Sequence, residues 1–185
     1  SLPMDSSFNG EDSQVLIGDG VQIRDFATVH RATGAGNATR VGDGTLIMTN
    51  VHVSHNVQIG EGAVITSGSQ LGGHSSVGTR AVLGASAHLH QYVRVGDFAM
   101  VGAMSGLNRD VLPFTLVHGI FAQHYGLNRV GLKRNGVSGE RYRLIEQAFR
   151  ALRRRDRQRF IELADQSPDV KLMNGFISSS LRGIS

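Results

Sequence analysis

Imidazole is the side chain best suited to moving a proton near neutral pH, and this sequence concentrates it in one stretch. Six of its eight histidines, His30, His52, His55, His74, His88 and His90, fall between residues 30 and 90. His52 and His55 lie three apart, and His55, His74 and His90 follow at intervals of 19 and 16 residues. Acid–base chemistry is the use this set suggests. A zinc site is the weaker reading. Imidazoles do ligate zinc, but carboxylates are few near these positions and there is no cysteine to supply a thiolate. No metal and no cofactor is therefore expected. A single surface histidine needs no role, but a set of six in so regular a stretch calls for one.

The histidines ride on a repeat. From Ile17 in steps of six come Ile23, Val29, Ala35, Val41, Ile47 and so on to Leu107, and fifteen of the sixteen positions are Val, Ile or Leu. The exception, Ala35, sits in a Gly-rich loop near residues 34–40. Four residues after each aliphatic position stands a small or β-branched residue, from Val21 and Ala27 to Ser105 and Val111, and Gly follows the aliphatic in nine of the sixteen hexads. A period of six fits neither a 3.6-residue helix nor a simple alternating strand. It fits an all-β solenoid, a parallel β-helix of hexapeptide repeats with three faces to a coil of about 18 residues. The aliphatic residue points inward, the small one fits the crowded corner, and Gly is expected to supply the freedom of the turns.

Coils stacked about 4.8 Å apart would place His55, His74 and His90 in a column along one edge. The hexad phase of His55 puts its side chain outside the coil. A flat coil face offers no walls to exclude water from a proton-transfer site, so a neighbouring subunit is expected to provide them.

The repeat spans residues 1–112 and ends at Leu112-Pro113. Residues 113–137 read as an irregular connector. Residues 138–185 read as a small helical domain: Ser138 caps a helix carrying Tyr142, Ile145, Phe149 and Leu152, a second runs from Arg157 to Ala164, and Ser167-Pro168 opens a third. Charge divides the same way. Residues 133–185 carry 12 basic and 6 acidic side chains, a net +6, against 7 and 9 before them, a net −2.

Composition excludes much else. Hydrophobic content of 40% is too high for a disordered chain, and no apolar run approaches the roughly 18 residues of a membrane span. The absence of cysteine fits a reducing, cytoplasmic setting. Nucleic acid is not expected as a partner. Arg150, Arg153, Arg154, Arg155, Arg157 and Arg159 lie on helices without interleaved aromatics or a recognised motif; they form a solvated basic face or a dock for an acidic partner.

The run Ile47-Met48-Thr49-Asn50-Val51-His52-Val53-Ser54-His55-Asn56-Val57, with Leu71-Gly72-Gly73-His74, His90-Gln91 and Gly131-Leu132-Lys133-Arg134, resembles the UDP-N-acetylglucosamine O-acyltransferases of lipid A biosynthesis. Ile23-Arg24-Asp25, Thr28-Val29-His30-Arg31, Ser167-Pro168-Asp169-Val170-Lys171 and Ser180-Leu181-Arg182-Gly183 extend the match over essentially the whole chain. It covers about the last two-thirds of the family's length, as though the family's first coils were missing.

The resemblance implies a left-handed β-helix, the hand opposite to that usual for parallel crossovers, and a homotrimer with active sites between subunits. It implies transfer of an acyl chain, often 3-hydroxylated, from acyl carrier protein to the 3-hydroxyl of a UDP-amino-sugar. On this pattern His55 is the general base and the Gly73 N–H the oxyanion donor. His52 and His74 contact substrate, His90 and Gln91 lie on the nucleotide and acyl sides, and Asn128 and Arg134 touch the nucleotide phosphates. Asp5 binds the sugar, Ala103 limits acyl length, and the basic tail docks the acidic carrier protein. Four positions depart from the pattern. Asn56 stands where the family has the Asp that orients its base, Ser7 where it has Lys, Val130 where it has a nucleotide-contacting Glu, and Met4 where it has Gln. These put the acceptor in question more than the acyl donor. A different acceptor or an acyl-CoA donor, or a scaffold without catalysis, are the competing readings.

Overall fold

The computed structural model describes residues 1–185. Fifteen short strands from Gln14–Ile17 to Gly106–Leu107 wind into a parallel solenoid with three faces. The first face stacks Gln14–Ile17, Ala38–Val41, Gln58–Ile59, Ser76–Val77 and Arg94–Val95; the third stacks Thr28–Val29, His52–Val53, Gln70–Leu71, His88–Leu89 and Gly106–Leu107. The second, from Gln22–Ile23 to Met100–Val101, continues into Thr115–His118 and then the antiparallel Gln123–Leu127. Both repeat positions point inward. Ile47, Val53, Ile65, Leu71 and Leu83 are fully buried, and so are the small residues Ala63, Ser69, Ser75, Ala81 and Ala87. The first coil is the exception, with Ile17 and Ile23 about half exposed at the open end of the stack.

The role expected of glycine needs correction. The left-handed backbone at each corner falls three residues after the aliphatic. There the chain mostly accepts a side chain, as in Asn56 (φ 60°), His74 (φ 60°) and Tyr92 (φ 65°). The Gly directly after the aliphatic serves close approach instead. A Cβ on Gly60 would lie 2.6 Å from the Thr79 nitrogen, and one on Gly72 2.7 Å from that of Gln91, both in the next coil. These glycines let the coils touch.

The stretch expected as an irregular connector is mostly regular, with the two strands Thr115–His118 and Gln123–Leu127 followed by α1 (Arg129–Arg134). Then come α2 (Gly139–Arg153), α3 (Arg157–Gln166) and α4 (Pro168–Ser178). Ser138 occupies the N-cap of α2 but makes no side-chain cap bond, whereas Asp156 caps α3 and Ser167 caps α4. The helices bury Leu132, Ile145, Phe160, Leu163 and Met173 around Phe114, which stacks on Phe98 at the corner after the first face.

Arg94 and Asp110 fasten the C-terminal segment to the solenoid. Arg94 Nε donates to the buried Asp110 carboxylate at 2.9 Å, and Ser180 Oγ donates to it at 2.9 Å. Arg94 also donates to the Phe176 carbonyl and lies 4.4 Å from that ring's centre.

His124 adds a second fastening. Its Nε2 accepts the Leu112 N–H at 3.1 Å, so its proton is on Nδ1, which donates to the Ser185 carbonyl at 2.6 Å. Burial lowers its pKa below the ordinary 6.5. The folded protein therefore resists a proton that the unfolded chain accepts. This contribution to stability is fully present above pH 6.5 and is lost as the pH falls from there towards the folded-state value. Thermal melts between pH 7.5 and 5.5 (a range of about one unit either side of the ordinary histidine value) should show a shallower acid-side decline in His124→Gln than in the parent. Identical slopes would remove His124 from the balance.

Candidate active site

The corner between the third and first faces departs from the repeat. After Val29 the coil takes in one extra hexad without losing phase, so that Val29 pairs with Val53, and residues 32–37 form a loop where other coils have a tight turn. The N-terminal segment is strapped along it. Ser1 donates its amino group to the Val29 carbonyl, Glu11 accepts the N–H groups of Gly34 and Asn9, and Gly36 N–H reaches the Asp12 carbonyl. Loop and strap cover His55, which is only 9% exposed. The walls expected from a neighbouring subunit are therefore supplied in part by the chain itself, through Thr33 and Asp5 beside the ring.

The hydrogen bonds fix the tautomer of His55. Asn56 is oriented without ambiguity, because its Oδ1 accepts the Thr33 N–H at 2.8 Å while its Nδ2 donates to the Thr33 carbonyl at 3.0 Å. That same Oδ1 lies 3.0 Å from His55 Nδ1. Two acceptors cannot bond to each other, so Nδ1 carries a hydrogen, and in the neutral ring the lone pair is on Nε2. Nε2 lies against Gly73, where a Cβ would run into the ring and reach Cε1 at 2.6 Å. Gly73 is buried and its N–H makes no hydrogen bond within the chain. An imidazole with this tautomer beside an unpaired backbone donor is the equipment of acyl transfer through a tetrahedral intermediate.

The column of imidazoles is shorter than expected. His55 packs edge-on against His74 at 5.1 Å between centres, and His74 stacks on Tyr92 at 4.7 Å. His90 is not in this column. A coil of 18 residues puts Tyr92 above His74, whereas His90 falls above Gly72, so Gly72 N–H bonds to Leu89 O and Tyr92 N–H to Gly73 O. Burial first, and then the neighbouring His55, lower the pKa of His74, with Asp5 opposing. Asp5 lies over the pair: its Oδ1 accepts from Ser7 N–H and hydroxyl at 2.9 and 2.8 Å, bonds that hold its carboxyl below the ordinary value.

His90 and His52 instead line a groove of about 410 Å³ on the third face, with His88, Gln70 and Leu107. The exposed tip Ile120-Phe121 of the strand pair closes one side. His52 lies 4.8 Å from His30 and 2.9 Å from the Thr28 hydroxyl, and its pKa is lowered by burial and then by His30. Gln91 follows at the next corner position, exposed. Ala103 lies exposed before Met104 at the corner that opens the topmost coil of this face, outside the groove lining. A larger hollow of about 780 Å³ lies under α4 on the first face and holds no histidine.

Asn128 and Arg134 are elsewhere. Asn128 is buried, donates to the Phe98 carbonyl at 2.9 Å and caps α1 through Gly131 N–H at 3.1 Å. Its amide is engaged inside the chain, so its evident work is to place α1. Arg134 lies on α1 with Arg129, Val130 and Lys133, and Asn135 just after it accepts from Arg80. This is the corner after the first face, whereas His55 occupies the corner before it. No cavity joins the two. Thr33, Tyr92 and Ile120-Phe121 escaped the sequence reading; only the Gly-rich interruption around Ala35 hinted at the first.

Two family models match the chain: "Udp N-acetylglucosamine O-acyltransferase; Domain 2" over residues 110–185, and the bacterial transferase hexapeptide over residues 38–73. The acyl-[acyl-carrier-protein]–UDP-N-acetylglucosamine O-acyltransferase of Halorhodospira halophila is 39% identical over 189 residues, covering 98% of this chain and 73% of the relative. The Thermodesulfovibrio yellowstonii enzyme of the same name is 41% identical over 190 residues, with the same coverage. Among solved structures, the UDP-N-acetylglucosamine acyltransferase of Francisella novicida superposes with a TM-score of 0.92 at 30% identity, covering 98% of this chain and 70% of that one. That of Campylobacter jejuni gives 0.90 at 33%, covering all of this chain and 73% of its own. The fold they share is the left-handed parallel β-helix with C-terminal helices.

The contact between Gly73 and the imidazole gives a direct test. Gly73→Ala should push the ring of His55 out of place while leaving the coil folded, since φ at residue 73 is not among the left-handed ones. Transfer should fall by about 10²-fold or more, the scale of losing one positioned catalytic group, with the melting temperature nearly unchanged. A variant with the parent rate would show that the ring has room and that Gly73 is dispensable.

Proposed function

Since this chain belongs to the UDP-N-acetylglucosamine O-acyltransferase family, we propose that it carries out the family's opening step of lipid A biosynthesis with His55 as general base. The acyl group, often 3-hydroxylated, passes from acyl carrier protein to the 3-hydroxyl of a UDP-N-acetylglucosamine-type sugar. His55 Nε2 takes the hydroxyl proton as the sugar oxygen attacks the thioester carbonyl. The carbonyl oxygen becomes an oxyanion and accepts the Gly73 N–H. Collapse breaks the C–S bond, and the imidazolium returns its proton to the departing thiolate. The observation that supports this most is the tautomer: Asn56 holds the hydrogen on Nδ1, so the free lone pair faces Gly73. His74 and His52, with pKa values lowered, serve this reading as neutral hydrogen-bonding groups towards substrate near pH 7.

A changed acceptor has specific support. Ser7 engages one oxygen of Asp5, and with Val130 in place of Glu, α1 carries no carboxylate of its own; only Glu146 of α2 reaches one of its three basic residues, Arg129. The experiment is a mass-spectrometric transfer assay with acyl carrier protein against a panel of nucleotide sugars. The expected product is the 3-O-acyl derivative of UDP-N-acetylglucosamine or a close relative, and His55→Ala should reduce its formation by about 10²–10⁴-fold. Turnover unchanged in that variant would end the general-base assignment; transfer only to another sugar would establish the changed acceptor. Arg153, Arg154, Arg155 and Arg157 are exposed and without ion pairs, unlike Arg143, Arg150 and Arg159. They offer a docking face for an acidic carrier, so the Michaelis constant for carrier should rise with salt.

We also propose that the working form is a homotrimer. His55 and the basic side chains of α1 lie at different corners of one chain, and a threefold arrangement brings one subunit's third face beside its neighbour's first corner. His55→Ala and Arg134→Ala should each be inactive alone. Co-assembled in equal amounts they should regain roughly a quarter of parental activity, because one pairing in four joins an intact His55 to an intact Arg134. No recovery after verified subunit mixing would place both halves of the site in a single chain.

A further inference from the structure

We infer that Asp5 supplies the negative charge that supports His55, acting through Thr33, and is thereby a positioning residue for the base. This rests on the general-base reading above. The direct partner of His55 Nδ1 is Asn56, which is neutral and orients the ring without stabilising a proton on it. The nearest carboxylate is not on the repeat at all. Asp5 Oδ2 lies 3.8 Å from His55 Nδ1, too long for a hydrogen bond but close for a charge, with the two side chains only 23% and 11% exposed. Between them stands the Thr33 hydroxyl, 2.9 Å from Asn56 Oδ1, 3.2 Å from Asp5 Oδ2 and 3.5 Å from His55 Nδ1.

Thr33 has one hydroxyl proton and two oxygens to give it to. It links the amide that orients the ring to the carboxylate that faces it. Asp5 is in turn held as an anion by the N–H and hydroxyl of Ser7. The other groups around the ring carry no negative charge. From the next coil come Gly73 and His74, with Tyr92 stacked behind; from the loop come Thr33 and Gly34, whose N–H is taken by Glu11 one step further out. When His55 takes a proton from the acceptor hydroxyl, Asp5 is the charge that faces the imidazolium. The arrangement moves the carboxylate of a catalytic triad one side chain outward and attaches it to the N-terminal strap.

The test is Asp5→Asn, which keeps the shape and removes the charge. Loss of the carboxylate makes the imidazolium harder to form, so the acidic limb of the pH–rate profile should move to lower pH, by about one unit for a charge at this range. The turnover number should fall by about tenfold, less than for a directly bonded triad carboxylate. An effect on sugar binding alone would raise the Michaelis constant and leave that limb in place. The ring-proton titration of His55, followed by NMR in the protein without substrate, reads the coupling independently of turnover. It should move the same way in Asp5→Asn, and Asn56→Asp in that background should move it back. Thr33→Val should reproduce part of the effect and Thr33→Ser should not. A His55 titration unmoved by Asp5→Asn overturns the inference, whatever the transfer assay shows. A titration that moves in a protein that transfers nothing upholds the coupling and retires the acyltransfer reading instead.

Discussion

Coil-to-coil hydrogen bonds such as Ser54 N–H to Leu71 O at 3.1 Å and Gly72 N–H to Leu89 O at 2.9 Å fix the rise of this molecule. Every lateral distance in the site follows from that rise. Strands stacked near 4.8 Å bring the backbones so close at one corner that Gly42, Gly60, Gly72, Gly78 and Gly84 all meet the next coil. The same spacing brings an imidazole at one corner into contact with the residues one coil on. His55 against His74 and His74 against Tyr92 are consequences of the ladder, which places rings so precisely because its register cannot slip without burying polar side chains.

A perfect repeat would not suffice. Its corners are open, and an imidazole there would stand in water. The chain inserts one extra hexad after Val29, and the loop so produced carries Thr33 into the space beside His55. The N-terminal segment then crosses the loop and delivers Asp5. Regularity positions His55 and irregularity surrounds it. Functional sites are where local rules are expected to be broken; here the broken rule is the coil of 18, lengthened by one hexad, and the compensation is a network of side chains that satisfies the loop backbone.

What could be read from the residues divides along the same line. The solenoid, its inward positions and its helical tail were legible because a period of six constrains many residues in the same way. The strands and short helix within residues 113–137 were not, since they are non-repeating and defined by partners distant in sequence, such as Phe98 for Asn128 and Ser185 for His124. The resemblance singled out His55, Gly73 and His74, which the fold brings together, but the place of His90 was misjudged by a small offset. Spacings of 19 and 16 differ from the true coil of 18 by enough to put Tyr92 in the column instead. The roles of Thr33 and Asp5 had no signal in the repeat, because their contacts with residues 55 and 56 span 22 to 50 positions and arise only once the strap is laid down.

The division of labour between corners carries one more consequence. His55, His74 and Asp5 gather at the corner after the third face, while the basic residues of α1 gather at the corner after the first. A solenoid cannot fold back to bring two of its own corners together, because its three faces are held apart by the buried column that includes Ile47, Val53, Ile65 and Leu71. The helices pack on the first face and the corner after it, anchored through Phe114 on Phe98 and Arg94 on Phe176. The rigidity that makes His55 precise also keeps a single chain from closing its two corners around one substrate. The homotrimer proposed above answers this: rotation about a shared axis would set the His55 corner of one chain against the basic corner of the next and repeat the same cleft at each interface.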